Sequence, residues 1–190
     1  MVHSFPTRRS SDLLTTVTIA GRLTLRNVYD ERGRLTDVVD ALGGHQHFEY
    51  DELNRKVMEQ DANGNVTTYE YDELDNVVRI TYASGTAVQQ VIDYEYDKGG
   101  RLIHETSGGE VTEYVYDGRN RCIEATRAHG TADAVTTKTE YDGAGNVLAE
   151  IDPLGHRTEY TYDMAGRKTS VTYAAGTADH VSESMEYDRN

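Results

Sequence analysis

Short segments in which apolar and polar residues alternate recur along the chain. The segment 76–82, Asn-Val-Val-Arg-Ile-Thr-Tyr, is rich in the β-branched and aromatic residues that favour strands. Aromatic residues two positions apart, such as Tyr69 and Tyr71 or Tyr160 and Tyr162, share one face of a strand. No window places apolar residues at the spacing of a helix. The pattern therefore predicts an all-β fold with an aromatic stripe along one face of its sheet.

A Tyr-Asp pair ends each aromatic segment, and eight such pairs recur at intervals of 20 to 25 residues. The pairs begin at Tyr29, Tyr50, Tyr71, Tyr96, Tyr116, Tyr141, Tyr162 and Tyr187. Three residues after the Asp, the chain has only Gly, Asn or Asp, which tolerate a positive φ, and Arg or Asn follows. Asp at the first position and Gly at the fourth are preferences of a type I turn. Each pair is therefore predicted to open a hairpin turn that ends in a left-handed residue.

A second turn, here called the far turn, separates the two strands of each predicted repeat. Its short form is Asp-x-x-Gly, at residues 40–43, 61–64 and 152–155, and its long form contains Gly-Thr-Ala, from Gly85, Gly130 and Gly176. Because the chain folds back at both turns, the predicted architecture is a continuous antiparallel meander of tandem β-hairpins. Residues 14–28 fit a degenerate partial repeat, with Gly21-Arg22-Leu23 as its far turn.

Composition narrows the possible partners. The formal net charge of −14 argues against nucleic acid, because phosphate binding needs a cationic face. No apolar stretch approaches the roughly 20 residues of a membrane-spanning helix. The single cysteine, Cys122, has no partner for an intrachain disulfide.

The two ends of the chain differ from the repeats. Residues 3–13 back-translate into codons that resemble a common short-read sequencing adapter, so we interpret residues 1–13 as a non-native segment. The chain also stops inside a repeat unit, at Tyr187-Asp188-Arg189-Asn190. We therefore expect repeats over residues 29–190 that are truncated at both ends.

The repeat unit resembles that of a known family. Tyr-Asp-x-x-Gly-Arg-hydrophobic, followed by Asp-x-x-Gly and the next Tyr-x-Tyr-Asp, is similar to the YD repeat of bacterial Rhs proteins, wall-associated proteins, toxin-complex BC components and teneurins. The resemblance covers about residues 27–190. It implies a curved strip of hairpins within a larger hollow β-shell, which in Rhs and toxin-complex proteins encloses a C-terminal toxin. The implied partners are the remaining YD repeats of the same polypeptide and that toxin, and the implied location is secreted or on the bacterial cell surface.

One segment also resembles part of the motif that terminates the repeat core in this family, Asp-Pro-x-Gly-Leu. The segment is Asp152-Pro153-Leu154-Gly155, but His156 stands in place of the Leu and two more Tyr-Asp pairs follow. We therefore interpret it as an ordinary far turn, and no autoproteolytic residue is inferred from it.

Three other groups of residues carry possible chemistry, and a structural interpretation is favoured for each. Residues 61–65, Asp-Ala-Asn-Gly-Asn, resemble the start of a calcium loop, but the Gly is misplaced for an EF-hand and a β-turn fits better. His45, His47 and Glu49 share a strand face and include zinc-ligand types, although solvated turn histidines fit the repeat better. Cys122 occupies an apolar position of the repeat and is expected to be a small buried residue rather than a nucleophile.

Two functions follow as hypotheses. The first, implied by the resemblance, is a structural shell segment that encapsulates and helps deliver a C-terminal toxin, the toxin domain being absent from this chain. The second is an extracellular carbohydrate-binding or cell-adhesion module, because regularly spaced Tyr, Asp and Arg side chains suit sugar rings and hydroxyls. No constellation outside the repeat indicates catalysis. We therefore expect no enzymatic activity, no cofactor and no metal site.

Overall fold

The computed structural model describes residues 13–19 and 22–188. The segment interpreted as adapter-derived, residues 1–13, lies outside the described residues apart from Leu13, and so does Gly21 of the far turn predicted there. Every regular element among the described residues is a β-strand, so the predicted all-β class is confirmed. None of these residues belongs to a helix that is long and apolar enough to cross a bilayer.

The strands contain four to eight residues each. They are β1 (Leu13–Ile19), β2 (Arg22–Tyr29), β3 (Leu35–Asp40), β4 (His45–Tyr50), β5 (Lys56–Gln60), β6 (Val66–Tyr71), β7 (Val77–Tyr82), β8 (Gln90–Tyr96), β9 (Leu102–Ser107), β10 (Glu110–Tyr116), β11 (Cys122–Arg127), β12 (Val135–Tyr141), β13 (Val147–Ile151), β14 (Arg157–Tyr162), β15 (Lys168–Tyr173) and β16 (Val181–Ser184).

The chain divides into two units, Met1–Tyr94 and Glu95–Asn190. In the first unit the strands from β1 to β7 and the first five residues of β8 lie in sequence order, each antiparallel to the strand before it. In the second unit the same order runs from β9 to β16. Strands that are neighbours in sequence are thus neighbours in the sheet, which confirms the predicted meander of tandem hairpins within each unit.

The turns that follow the Tyr-Asp pairs have the predicted conformation. The residue three positions after the Asp has a positive φ, between 63° and 101°, in Gly33, Asn54, Asp75, Gly100, Asn120, Gly145 and Gly166. Its N–H donates to the Asp carbonyl and closes the turn, as from Gly33 to Asp30 at 2.9 Å. A β-bulge, which the pattern did not predict, accompanies this turn; Tyr71 pairs with Val77 while Glu70 pairs with Arg79.

The far turns contain one unexpected feature. In the short form, Gly43, Gly64 and Gly155 have φ of 85° to 87°, as expected for the fourth residue of Asp-x-x-Gly. In the long form, alanines also adopt positive φ: Ala83 at 48°, Ala128 at 52° and Ala174 at 50°. Left-handed backbone costs a non-glycine residue about 1–2 kcal/mol. The threonine of the Gly-Thr-Ala motif offsets part of this cost, because its Oγ1 donates to the alanine carbonyl, at 2.7 Å in the first of these turns.

Few side chains of the sheet are fully buried. Among the described residues, only Ala149 (0% exposed) and Val171 (6%) are buried apolar side chains, and Thr81 (7%) is the one buried polar side chain. Most strand residues are half-buried. Little apolar surface is removed from water within this sheet. The contacts between neighbouring hairpins therefore supply much of the stability that a buried core supplies in a globular domain.

Candidate functional site

In the seven Tyr-Asp pairs from Asp30 to Asp163, the aspartate organises its own turn. Asp117 Oδ1 accepts hydrogen bonds from the backbone N–H of Arg119 (2.8 Å) and Arg121 (3.0 Å), and its Oδ2 accepts one from Arg121 Nε at 2.7 Å. The same arrangement with arginine occurs at Asp30, Asp51, Asp97 and Asp163. At Asp72 and Asp142 an asparagine side chain replaces the arginine. The aspartate therefore satisfies turn amides that would otherwise lack a partner.

These hydrogen bonds favour the charged carboxylate. Side-chain and backbone hydrogen bonds from Arg121 lower the pKa of Asp117 from its usual 3.8 to about 2, although desolvation acts in the opposite direction. Hydrogen bonds from the side chain four positions later are likewise the main cause that lowers the pKa of Asp72, Asp97 and Asp142. The turns are therefore built around ionised aspartates.

The arginine of the motif also contacts the next hairpin. Arg34 Nη1 donates to the Asp51 carbonyl at 2.8 Å, and Arg55 Nη1 donates to the Asp72 carbonyl at 3.1 Å. The guanidinium lies over the tyrosine of the next Tyr-Asp pair, with Arg55 4.7 Å from the ring centre of Tyr71. Equivalent pairs are Arg34 with Tyr50, Arg101 with Tyr116, Arg121 with Tyr141 and Arg167 with Tyr187. The arginine thus joins its own aspartate to the following repeat by a cation–π contact.

The tyrosine of the pair forms a link in the opposite direction. Tyr71 donates its hydroxyl proton to the carbonyl of Lys56, the first residue of β5, at 2.7 Å. The same bond runs from Tyr50 to Leu35, Tyr116 to Leu102, Tyr141 to Cys122, Tyr162 to Val147 and Tyr187 to Lys168. A hairpin whose turn carries the motif arginine therefore receives a phenol from the next repeat and donates a guanidinium to it, as Arg55 and Tyr71 do. We call this pair of contacts the Tyr–Arg link.

The other tyrosine of the Tyr-x-Tyr motif has different partners. Tyr69 donates to Glu59 Oε1 at 2.8 Å, and Lys56 Nζ lies 4.9 Å from its ring centre. Tyr160 donates to Glu150, and this hydrogen bond, together with desolvation, raises the pKa of Tyr160 to about 12. Lysine also covers the Tyr160 ring, with Lys168 Nζ at 3.8 Å. A sugar stacking on the lysine-covered face of either ring would therefore have to displace an ammonium group.

The histidines singled out from the sequence converge on an aspartate. His45 Nε2 and His47 Nδ1 lie 2.8 Å and 2.9 Å from the same oxygen of Asp37, and His47 Nε2 is 3.6 Å from Glu49. Burial acts to raise the pKa of Asp37, but hydrogen bonds from His47, Thr36 and His45 together outweigh it, so the pKa is lowered. The pair is thus tied into the β3–β4 hairpin, and the partner Asp37 was not indicated by the sequence pattern.

The remaining sequence candidates lie in repeat positions. Asp61 Oδ1 accepts the N–H groups of Asn63 and Asn65, both at 2.9 Å, as in an ordinary Asp-x-x-Gly turn. Asp152 does the same for Leu154 and His156. Cys122 begins β11, is half-buried, and directs its thiol at the carbonyl of Glu124 at 3.4 Å.

One group of titratable side chains was missed by the sequence reasoning. His104 on β9, Glu113 on β10 and His129 in the long far turn after β11 bring ligand-type atoms within 4.8 Å of one another. The three residues match no zinc-ligand spacing in the sequence. The strand register supplies the signal, because His104 pairs directly with Glu113 across the hairpin.

Linked hairpins at a regular period define the class: this is a protein of tandem β-hairpin repeats. The chain belongs to the RHS repeat family, because the RHS Repeat model matches residues 29–65, 56–87, 96–132 and 141–178, more than half of the chain. The resemblance to YD repeats, inferred above from the Tyr-Asp motif, is thereby confirmed. A search of curated proteins found no match.

Solved toxin-complex structures share the fold. The crystal structure of TcdB2-TccC3-Cdc42 matches with a TM-score of 0.65 and 16% identity, over 94% of this chain and 11% of that chain. The crystal structure of TcdB2-TccC3 matches with a TM-score of 0.66 and 16% identity, over 86% of this chain and 11% of that chain. At these identities the likeness concerns the fold alone, and the chain spans only about a ninth of the length of either protein.

Proposed function

We propose that this chain is a wall segment of an Rhs/YD-repeat shell that encapsulates, and helps to deliver, a C-terminal toxin encoded in the same polypeptide. The observation that carries the proposal is the recurrent Tyr–Arg link, which couples neighbouring hairpins through Tyr71 and Arg55 and their equivalents. A link that runs in both directions suits a surface extended by adding further hairpins. The RHS repeat match and the fold shared with TcdB2-TccC3 support this role.

The contacts of the motif favour a mechanical role over catalysis. The aspartates bond to turn amides, the tyrosine hydroxyls donate to backbone carbonyls, and the arginines span adjacent turns. The most regularly placed polar groups are therefore engaged in holding the sheet together. We propose that this segment has no enzymatic activity of its own, and that it acts by closing a surface around its contents.

The sparse burial within the sheet indicates that the segment packs against further structure. Ala149 and Val171 are the only buried apolar side chains among the described residues, so much of the half-buried surface is available to further structure. In the proposed shell, adjoining YD repeats of the same polypeptide continue the sheet and the enclosed toxin faces one side of it. These neighbours are the proposed partners of the chain.

Protease protection of the enclosed region in the full-length polypeptide tests the proposal. The test variant is Thr68→Pro, which removes a ladder donor from the middle of β6 and breaks the wall. The matched control is Ala62→Pro, because Pro153 already occupies the equivalent position of the far turn at 152–155, where proline suits a type I turn.

In the intact polypeptide we expect the region after the repeats to resist a broad-specificity protease while the same region, expressed alone, is digested. Thr68→Pro should abolish the protection and Ala62→Pro should retain it. Equal digestion of this region in the wild type and in isolation would overturn the encapsulation role.

A further inference from the structure

The side chains of His104, Glu113 and His129 meet on three consecutive chain segments of the second unit. His104 lies on β9, Glu113 lies opposite it on β10, and His129 follows β11 in the long far turn. The two carboxylate oxygens of Glu113 face different imidazoles: Oε2 is 3.1 Å from His129 Nδ1, and Oε1 is 3.9 Å from His104 Nε2. The three side chains are between 30% and 42% exposed, so they are accessible from solvent without being fully solvated.

A second carboxylate orients one of the imidazoles. Glu95 Oε2 lies 2.8 Å from His104 Nδ1, on the side of the ring away from Glu113. When Nδ1 donates to Glu95, the lone pair of Nε2 points towards Glu113 and His129. A carboxylate that holds the distal nitrogen of a histidine is a recurrent feature of metal ligation, because it fixes the tautomer and raises the basicity of the ligand.

The backbone holds His129 beside the other two residues. Its N–H donates to the carbonyl of Val111 on β10 at 2.9 Å, the same bond that Ser84 and Ala175 make in the other two long far turns. The turn therefore forms with Ser or Ala at this position, and His129 is not required for its geometry.

We propose that His104, Glu113 and His129 form a binding site for a divalent transition metal, with Zn²⁺ as the favoured ion. Two imidazoles and one carboxylate are a common ligand set for zinc, with metal–ligand distances of about 2.0–2.2 Å. Tetrahedral ligands at those distances lie about 3.4 Å apart, whereas the three atoms here lie within 4.8 Å of one another. Small rotations of exposed side chains close this difference. The fourth position is left to water.

The bound ion would join three segments that backbone pairing connects only in pairs. It would tie the far turn after β11 to the β9–β10 hairpin and neutralise part of the charge of Glu113 and Glu95. A protein with a net charge of −14 also favours uptake of a cation over uptake of an anion. The site would thus strengthen this repeat when the metal is present, independently of what the shell encloses.

Metal titration of the full chain tests the proposal, with Zn²⁺ binding followed by calorimetry and Co²⁺ by its visible absorption. The decisive variant is His129→Ser, because Ser84 occupies the equivalent position in another repeat. Glu113→Gln removes the bridging carboxylate, and Glu95→Gln leaves the three ligands in place but removes the orienting carboxylate. The matched control is the double variant His45→Gln/His47→Gln, which removes the other close histidine pair.

We expect one equivalent of Zn²⁺ to bind and a tetrahedral Co²⁺ spectrum to appear. His129→Ser and Glu113→Gln should weaken binding at least tenfold, and Glu95→Gln should weaken it by about tenfold. The double control should bind as the wild type does, and circular dichroism should show unchanged β-structure in His129→Ser. Unchanged affinity in that folded variant, or loss of binding in the double control alone, would overturn the proposal.

Discussion

At the residue scale, the Tyr71 side chain shows how one residue makes two separate contacts with the neighbouring repeat. Its ring lies under Arg55, and its hydroxyl donates to the Lys56 carbonyl at 2.7 Å. The ring and the hydroxyl therefore make separable contributions, one through the cation–π contact and one through a hydrogen bond to the preceding hairpin. Substitutions that remove only one of them measure each contribution.

Tyr71→Phe keeps the ring and deletes the hydrogen bond to Lys56. We expect the free energy of unfolding to fall by about 1 kcal/mol, which is typical of a single intramolecular hydrogen bond. Urea denaturation followed by circular dichroism measures the change. Tyr82→Phe is the matched control, because Tyr82 is 42% exposed and lies outside the Tyr-Asp motif. Equal losses in the two variants would contradict a specific role for the Tyr71 hydroxyl.

The alanines with positive φ lead to a prediction of increased, rather than decreased, free energy of unfolding. Ala83 has a φ of 48°, which glycine adopts without strain. Ala83→Gly relieves about 1–2 kcal/mol of backbone cost but adds about 0.5–1 kcal/mol of unfolded-state entropy. We therefore expect a net stabilisation of about 0.5–1 kcal/mol, measured by the same denaturation. Ala125→Gly, in the middle of β11, is the control and should destabilise the protein. If both substitutions stabilise the protein, or if neither does, the inferred strain at Ala83 is contradicted.

At the scale of the element, the hairpin is largely predictable from the sequence and the link between hairpins is not. Positive φ at Gly33 and Asn54 follows from the local pattern, because only residues that tolerate it occur there. The bulge at Tyr71 also belongs to this local turn, because a type I turn that ends in a left-handed residue produces it. The reach of Arg55 to the next turn depends instead on how adjacent hairpins are spaced. A single repeat does not encode that spacing. The proximity of His104 and His129 was not predictable from the sequence for a similar reason, because it depends on the register of the paired strands.

Some turns of this chain have asparagine in place of the motif arginine, and they distinguish the residue's role in its own turn from its role in the Tyr–Arg link. Asn76 bonds its own Asp72 at 2.9 Å, as the motif arginine does, but its side chain is shorter. Arg55→Asn should therefore keep the turn at Asp51 and remove the contacts with Asp72 and Tyr71. We expect a loss of about 1–2 kcal/mol in unfolding free energy, because two charged hydrogen bonds to the next turn, one of them to an exposed carboxylate, and one cation–π contact are lost.

Hydrogen exchange locates the effect of this substitution. Amides of residues 72–76 should exchange faster in Arg55→Asn, while those of residues 51–55 should be little changed. The control is Arg127→Asn, because Arg127 is 69% exposed and pairs with Glu110 at the surface. Faster exchange confined to residues 51–55 would show that the arginine serves its own turn and not the next one.

At the scale of the whole molecule, ionised aspartates recur along the chain, so stability should depend on pH in a defined window. A carboxyl group whose pKa is lowered by folding contributes stability that is complete above its unfolded pKa and is lost as the pH falls through its folded pKa. For Asp117 this window extends from about pH 4 to about pH 2. The pKa of the motif aspartate is lowered at six further turns, so the losses accumulate in the same range.

We therefore expect the midpoint of thermal unfolding to change little between pH 7 and pH 5, and to fall steeply between pH 4 and pH 2. Asp117→Asn should lower the midpoint at pH 7 and reduce the fall below pH 4, because one titrating group has been removed. A fall centred well above pH 4 would contradict the dominant role of the turn aspartates. The pH at which the fold is lost therefore tests whether the ionised turn aspartates stabilise the sheet.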